Sequence, residues 1–586
     1  MESASKIIAR ELASLYELEI DAELLAPIEA AIDAPLGGSS GHRVEGAELR
    51  ARLLALPFIG ERGEPGPPLT LQHEILRSQK LYDAEARIAR AIAARLKADL
   101  ELDVGEADPA NYAEELARFF PALRDDGTEN EARRFAEIAI ASRLTLLAGG
   151  PGTGKTYGVA SLLALFIEAA IREGRAAEEF PTIALAAPTG KAAARMREAM
   201  MEAIAPQPSR PSALGNHLSD PARKYLSALS AGTLHRLLRI VPRRSLRRPR
   251  FAPRIIDADI VVIDEASMID LPLFARLLDQ LAPESRLLIL GDPDQLPSVG
   301  VGSVLADLIS FEGDESSSLG RAIARLTVSR RYPMDSSIRR LADAILMNDR
   351  EGALKSLNSG RDETLRKFSN KPASIQRELR PVVVDNFRSL RALLDTPEAP
   401  LDELFRRFDA HRTLALEHHG PAGVRDLNES ITEWLIDAGL IELIQGAPSI
   451  EPILILRNSP EVDRMNGDIG FILRRDYPAA KRGAYFPNDL EGGVTRLSAH
   501  ELPEWTRAFA MTVHKSQGSQ FAHVSLVYPE KESRVAGREL LFTAITRARE
   551  RVSVYGDDIE IARSIERQTQ RTSGLPALLR EALSSQ

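Results

Sequence analysis

The pattern of hydrophobic and polar positions changes character twice along the chain. Over residues 1 to about 115, apolar positions recur at helical spacing, as in Ile7-Ile8, Leu12, Leu15 and Leu18, and a longer helix is expected from about Leu76 to Leu100. The turns Gly37-Gly38-Ser39-Ser40-Gly41 and Gly60 to Pro68 punctuate this stretch. It carries no chemical motif and predicts a helical packing or docking domain. From about 135 to 310 the pattern becomes short apolar runs separated by helical stretches: Leu144–Leu147, Ile183–Ala187, Ile260–Ile263 and Leu287–Leu290. That alternation predicts an α/β fold with a parallel sheet covered by helices, whose working residues stand at the carboxyl ends of the strands. Residues 203–232, with Pro206, Pro208 and Pro211, look like an insertion in that unit. Residues 339 to 450 read as mostly helical. At about 472–505, short strand-like pieces and turns at Asn488-Asp489 and Gly492-Gly493 predict a small β-barrel.

Composition narrows the class. With 586 residues, 44% hydrophobic and 27% charged, the chain can build several cores, and two to four domains are expected. The lack of cysteine excludes disulfides, thiolate metal sites, Fe–S clusters and a cysteine nucleophile, and fits a reducing compartment. Met1 to Lys6 shows no basic segment followed by an apolar core, and no run of about 18 uncharged apolar residues occurs. No membrane anchor is expected, and the cytoplasm is the expected location. A net charge of −9 argues against indiscriminate coating of nucleic acid, so any nucleic-acid site must be a local patch. The strongest basic run, Arg243-Arg244-Ser245-Leu246-Arg247-Arg248-Pro249-Arg250 with Arg254 beyond, fits DNA phosphates, an acidic partner or a solvated loop equally. Only 5% of residues are aromatic, which leaves few base-stacking platforms and favours a grip on the backbone without sequence reading.

The chemistry begins where the first strand ends. Gly149-Gly150-Pro151-Gly152-Thr153-Gly154-Lys155-Thr156 follows Leu144-Thr145-Leu146-Leu147 as strand, phosphate loop and helix start. Glycines let backbone N–H groups close around phosphate oxygens, and the helix presents its positive end. Lys155 is then expected on the β/γ-phosphates and Thr156 on Mg²⁺, which makes ATP and Mg²⁺ the expected ligands. After the run Ile260–Ile263 come Asp264 and Glu265. Alone, an acidic pair is more often a helix N-terminal charge pair. Downstream of a phosphate loop, Asp264 is suited to the Mg²⁺ shell and Glu265 to orienting or deprotonating the attacking water. The next strand exits into Gly291-Asp292-Pro293-Asp294-Gln295, which places the Gln295 amide beside the same pocket to sense the γ-phosphate.

Further segments follow in order: A-A-P-T-G-K-A-A-A-R (186–195), T-L-H-R-L-L (233–238), V-V-I-D-E-A-S-M-I-D (261–270), L-G-D-P-D-Q-L-P-S-V (290–299), T-V-H-K-S-Q-G-S (512–519) and T-A-I-T-R-A-R (543–549). From about Ala136 to Leu578 the chain thereby resembles the superfamily 1 helicases of the RecD type, the family of the alpha subunit of exodeoxyribonuclease V (RecBCD). The resemblance implies two RecA-like P-loop motor domains that clamp ATP and move 5′ to 3′ along single-stranded DNA, with a helical N-terminal domain and a small β-rich insertion in the second motor. It divides the chain into 1–115, a first motor at 116–318 and a second at 319–586. Lys155 and Thr156 match the Walker A positions, Asp264 and Glu265 the Walker B pair, Gln295 the sensor, and Arg331 and Arg547 the second-domain arginines. Arg330 and Arg549 stand beside these two as alternatives. Such arginines would reach across the cleft to the transferred phosphoryl group. DNA contacts are expected from Thr189, Lys191, Thr233, His235, Thr512, His514, Lys515 and Gln517, donors suited to phosphates. His235, in an apolar stretch, also reads as a packed histidine. His411, His418 and His419 lack metal-ligand geometry and read as surface residues.

One departure stands out. Helicases of this kind usually carry a glutamine before the phosphate loop that reads the adenine edge, yet residues 121–148 contain none, and Ala132 or Arg133 stands near its place. Relaxed nucleotide preference, with GTP or CTP supporting turnover, is therefore expected. Three functions are compatible with these residues: a motor subunit in a heterotrimer with RecB-like and RecC-like partners, a stand-alone RecD-type helicase, or a non-motor nucleotide-dependent scaffold. The first is expected to leave the nuclease to a partner and to dock on it through residues 1–115. Intact Lys155, Asp264, Glu265 and Arg547 disfavour the third.

Overall fold

A computed structural model describes residues 3–585 apart from 62–65, 101–107, 124–126, 211, 241–254, 334, 360–362, 399, 478–479 and 489–492. The arginine run from Arg243 to Arg254, Pro211, Asp489 and Gly492 lie outside the described residues. Two parallel sheets form the frame. In the first, the strands run in the order Ile323–Leu326, Leu144–Gly149, Arg286–Gly291, Ile260–Ile263, Ile183–Ala187 and Ala231–Thr233, every pairing parallel. In the second, the order is Leu365–Phe368, Ala548–Tyr555, Phe521–Val527, His411–Ala415 and Ala510–Thr512, again all parallel. Strands such as Ile260–Ile263 are buried along their whole length, as sheets covered on both faces require. Helices Lys155–Arg172 and Gly190–Ile204 cover one face of the first sheet, sharing a core with Leu147, Leu185 and Val262.

The architecture departs from the sequence expectation in several places. Residues 1–115 are not purely helical, because a four-stranded sheet orders His42–Arg43, Ile75–Ser78, Leu69–Gln72 and Ile59–Gly60. The core of that module closes between Ala9 and Leu76. The helix Gln79–Leu100 belongs elsewhere: Ile88, Ile92 and Leu96 pack with Leu144, Leu146 and Phe274 on the other face of the first motor sheet. The expected division at 115 therefore does not follow the packing. Nor does the division at 318, since Ile323–Leu326 pairs with the phosphate-loop strand and completes the first sheet. Residues 203–232 do not stand apart, because Leu214, Ala222 and Leu226 are buried in the first motor core and the segment ends in the sheet's edge strand. Residues 339–450 are mostly helical, as expected, and also supply two strands of the second sheet.

The β-rich insertion is larger than expected. Its antiparallel strands run in the order Val494–Leu497, Gly483–Pro487, Ile469–Leu473, Ile450–Ile455 and Trp505–Arg507. Alternation divides the sheet's faces. Ile453, Ile455, Ile472 and Phe486 make a small core of their own, while Ile450, Leu454, Phe471 and Leu473 join the second motor core. The C-terminal helix Leu575–Ser584 leaves the second motor altogether. Its Leu575, Leu578 and Leu579 are buried in the first motor core beside the helix Gln79–Leu100.

Candidate nucleotide cleft and DNA groove

The phosphate loop forms because the Leu144–Gly149 strand ends in glycines able to turn sharply. Gly152 and Gly154 hold φ of +77° and +92°, in the left-handed region, and the helix Lys155–Arg172 starts at once. Lys155 Nζ folds back on its own loop, donating to the carbonyls of Gly149 at 2.5 Å and Gly150 at 3.0 Å, and Thr153 Oγ1 donates to Gly150 O at 2.9 Å. Thr156 follows Lys155 in the first turn of that helix. The neighbouring strand Ile260–Ile263 delivers Asp264, whose carboxylate accepts the Glu265 N–H at 2.7 Å. Glu265 has φ +52°, in the left-handed region that strains a residue carrying a Cβ. Burial pushes the Asp264 carboxyl up to about 6, with the Glu265 charge adding and Lys155 opposing. Asp292 behaves alike: burial raises it to about 6, against the pull of Lys155.

The arginines come from both motors. The strand Ile323–Leu326 runs on into Ser329–Arg331, which lies directly on the phosphate loop. Arg330 N donates to Gly152 O at 2.8 Å, and Ser329 Oγ donates to Pro151 O at 3.0 Å. Arg331 thus enters from the end of the first sheet and donates to Thr546 O of the second motor at 2.8 Å. Arg547 is buried and donates to the Gln295 side chain, which in turn donates to Asp292 at 2.9 Å. Burial lowers the Arg547 pKa, and the nearby Glu265 charge offsets part of this. The two alternatives differ in exposure: Arg330 lies at the surface beside the loop, and Arg549 is exposed on its strand. Arg195, which closes the segment 186–195 and was assigned no role there, belongs to the same electrostatic cluster as Arg331, Arg547 and Glu265. Its signal was its place four residues after Lys191 on one helix.

Beside the loop lies a cavity of about 310 Å³ lined by Phe120, Ala132, Tyr157, Arg210, Val328 and Arg330 among others. Its position next to Thr153 and Gly154 suits a nucleotide base; Ala132 brings no amide to its wall, and the amide of Asn130, which also lines it, donates to the Pro121 carbonyl at 3.1 Å.

A second opening, of about 750 Å³, runs between the two motors. It gathers Thr189, Lys191, Thr512, His514, Lys515 and Gln517 from the expected DNA-binding set. Thr189 caps the helix Gly190–Ile204, accepting Ala192 N–H at 3.2 Å. Thr512 accepts Lys515 N–H at 3.3 Å, and Lys515 Nζ donates to Asn466 of the β-rich insertion at 2.7 Å. Burial pushes Lys191 down to about 8, with Asp409 and Asp468 opposing that and Arg412 and Arg195 adding to it. His514 also falls, through burial first and then the neighbouring His418 and Arg571 charges. Thr233 and His235 are not among the groove's lining residues. Thr233 caps a short helix of the first motor, and His235 sits near Asp270 and Arg276, with its pKa lowered by burial. The reading of three surface histidines is corrected in part. His418 and His419 are exposed but line the groove, whereas His411 is buried in the second sheet, hydrogen-bonded to Ser525 at 2.9 Å.

The two openings communicate through one loop. Gln295 bonds Arg547 in the cleft, and the next residue, Leu296, accepts from Gln517 of the groove at 3.1 Å and donates to Thr543 at 3.0 Å.

Comparison with known proteins agrees with this layout. Residues 132–301 match an AAA domain family and residues 507–555 a UvrD-like helicase C-terminal domain. The chain is 35% identical to the RecBCD enzyme subunit RecD of Mycolicibacterium smegmatis, over 99% of this chain and 98% of that one. It is 38% identical to the RecBCD enzyme subunit RecD of Mycobacterium tuberculosis, over 79% and 74%. The ATP-dependent RecD2 DNA helicase of Deinococcus radiodurans is 26% identical over 77% of this chain and 53% of its own length.

Proposed function

As the chain belongs to the RecD family of superfamily 1 DNA helicases, we propose that it is the 5′-to-3′ motor of a cytoplasmic RecBCD-type helicase-nuclease, driving one DNA strand through the groove during double-strand-break repair. The chain is an ATP-dependent DNA helicase. Its RecB-like and RecC-like partners would carry the nuclease. No helix among the described residues is long and apolar enough to cross a membrane.

The observation that carries the motor reading is the Gln295-Leu296 step. One residue holds an arginine of the nucleotide cleft, and its neighbour holds a glutamine of the DNA groove. A change at the γ-phosphate position would then move a wall of the groove, as a translocase requires. In the cleft, Lys155 would leave the Gly149 and Gly150 carbonyls for phosphate oxygens. Arg331 and Arg547 would meet the charge that develops on the transferred phosphoryl group, and Glu265 would take a proton from the attacking water. The hydroxyl of Thr156 and the half-buried carboxylate of Asp264 are hard oxygen donors that fit Mg²⁺, which when bound neutralises phosphate charge. In the groove, Thr189, Lys191, Thr512 and Lys515 would grip the sugar-phosphate backbone of a single strand. Thr233 and His235 would act, if at all, from outside the lining.

The test is strand displacement by the purified chain on duplexes with a 5′ or a 3′ tail, with ATP and Mg²⁺ and a Lys155→Gln control. Unwinding from the 5′ tail alone supports the motor and its polarity, and unwinding without partners identifies an autonomous helicase. DNA-stimulated hydrolysis with unwinding only after RecB-like and RecC-like subunits are added supports the complex. Absence of DNA-stimulated hydrolysis under both conditions refutes the motor.

A further inference from the structure

The first two turns of the helix Gly190–Ile204 lie between the groove and the cleft. Lys191 lines the groove in its first turn. Arg195, one turn later on the same face, lies within the electrostatic reach of Arg331, Arg547 and Glu265. Both side chains meet the second motor at consecutive residues: Lys191 Nζ donates to Ser519 Oγ at 3.4 Å, and Arg195 to the Gly518 carbonyl at 3.2 Å. Arg547 donates to the Ser519 carbonyl at 3.3 Å. Three cations therefore hold one two-residue turn. The turn sits tightly on the helix, since Gly518 has φ +72° and a Cβ there would lie 3.2 Å from Thr189 Oγ1 and 3.4 Å from Ala192.

Each ligand of the motor would disturb one of these grips. A DNA phosphate in the groove would draw Lys191 away from Ser519. A nucleotide in the cleft would draw Arg547 away from the same residue's carbonyl. Arg195 stands between them, and it feels both sites through the turn. Burial together with the repulsion of Arg547 and Arg331 pushes its pKa down to about 10. A triphosphate between those arginines would relieve that repulsion.

Resting on the motor reading, we propose that Arg195 is the positioning residue that couples DNA in the groove to nucleotide in the cleft, by holding Gly518 in register while Lys191 and Arg547 exchange partners. It touches neither DNA nor nucleotide. Its loss uncouples the sites without emptying either.

The experiment measures the affinity of the full chain for a fluorescent non-hydrolysable ATP analogue, with and without saturating oligothymidylate. The wild-type chain is expected to show a ratio of about fivefold or more between the two conditions. In Arg195→Met, whose unbranched chain keeps the stem's packing, the ratio falls to within about twofold of unity, while the affinity for each ligand alone stays within about threefold of wild type. Arg195→Lys, which restores a cation, recovers part of the ratio. A methionine variant that keeps the wild-type ratio overturns the proposal. So does one that loses DNA affinity outright, which would make Arg195 a direct DNA contact, and so does a wild-type chain without linkage. Failure of the motor reading appears separately, as missing hydrolysis in the strand-displacement assay, because this equilibrium needs no turnover.

Discussion

Replacing Gly152 with alanine tests the contact between the phosphate loop and the arginine segment. A Cβ at Gly152 would stand 2.4 Å from Arg331 Cβ and 3.2 Å from Arg331 N, so neither neighbour is the yielding end of a flexible side chain. Reaching an ordinary contact of 3.4 Å requires the two segments to separate by about 1 Å. That separation breaks the Arg330 N–H bond to Gly152 O and the Ser329 hydroxyl bond to Pro151 O, each contributing about 1 kcal/mol. Holding alanine at φ +77° costs about 1–2 kcal/mol more. The closed cleft is thereby destabilised by about 3–4 kcal/mol, which lowers kcat roughly 100- to 1000-fold if it falls on the hydrolytic state. DNA affinity should change little, because Gly152 lies outside the groove lining. Steady-state hydrolysis with saturating oligothymidylate, alongside anisotropy with labelled DNA, measures both. A kcat within about threefold of wild type, or a loss of DNA affinity that matches the loss of kcat, would sink the reasoning.

Other perturbations separate the remaining features. The base cavity should discriminate ATP from GTP by less than about tenfold in kcat/KM, and Ala132→Gln should widen that ratio; an ATP-only profile in the wild-type chain contradicts this. Lys191 must be charged to bind phosphate, and its lowered pKa of about 8 means the DNA-free groove loses that charge as pH rises. Affinity for single-stranded DNA should therefore fall above pH 8, by up to about tenfold per unit, and Lys191→Arg should flatten the profile between pH 7 and 9. In Gly574→Ala the new Cβ would fall 1.3 Å from Arg77 Nη1, displacing a guanidinium paired with Glu85 at 2.6 Å where both side chains are fully buried. Breaking that pair costs about 3–5 kcal/mol, so hydrogen exchange should accelerate through Leu575–Ser584; unchanged protection would show that the pair does not hold the helix.

What the sequence disclosed depended on how local the signal was. The runs Leu144–Leu147, Ile183–Ala187, Ile260–Ile263 and Leu287–Leu290 are central strands of one parallel sheet, because burial on both faces leaves an unbroken apolar run. The N-terminal sheet was hidden for two reasons. Two of its strands are only two residues long, and the hairpin joining Leu69–Gln72 to Ile75–Ser78 turns through His73 and Glu74, both at positive φ, where Asn-Gly would have announced the turn. The strand Ile323–Leu326 was missed because Ile-Ala-Arg-Leu also reads as a helical fragment. In the site, Lys155, Asp264 and Gln295 were visible as motif positions following strands. His418 and His419 were not, since an exposed loop has no periodicity to place it against a groove. The helix Leu575–Ser584 shows a clear apolar face, but no spacing rule states that it is buried almost 500 residues upstream in the chain.

That return path gives the N-terminal module a mechanical connection to the groove. Val299, largely exposed, lines the groove from the loop that follows Gln295-Leu296. The loop is held from behind by Arg571, whose guanidinium donates to the carbonyls of Ser298, Gly300 and Gly302 at 2.7 to 3.1 Å. Gly302 N–H donates to Gly38 O of the N-terminal module at 2.8 Å, and Ser40 N–H donates to Thr572 O at 2.9 Å. Behind these, Ser573 donates to Asp307 at 2.7 Å, and Gly574 N–H to Glu85 at 3.0 Å. The N-terminal turn at 38–40, the tail at 571–574 and the groove loop at 298–302 thus form one hydrogen-bonded junction. Two of its bonds, Gly302 to Gly38 and Ser40 to Thr572, join backbone to backbone and cannot yield by a change of rotamer, so the junction carries displacement between the N-terminal turn, the tail and the groove loop. A partner that moved the N-terminal module would therefore act on the loop that lines the groove, and the path from that module to the motor is shorter than the domain order along the chain implies.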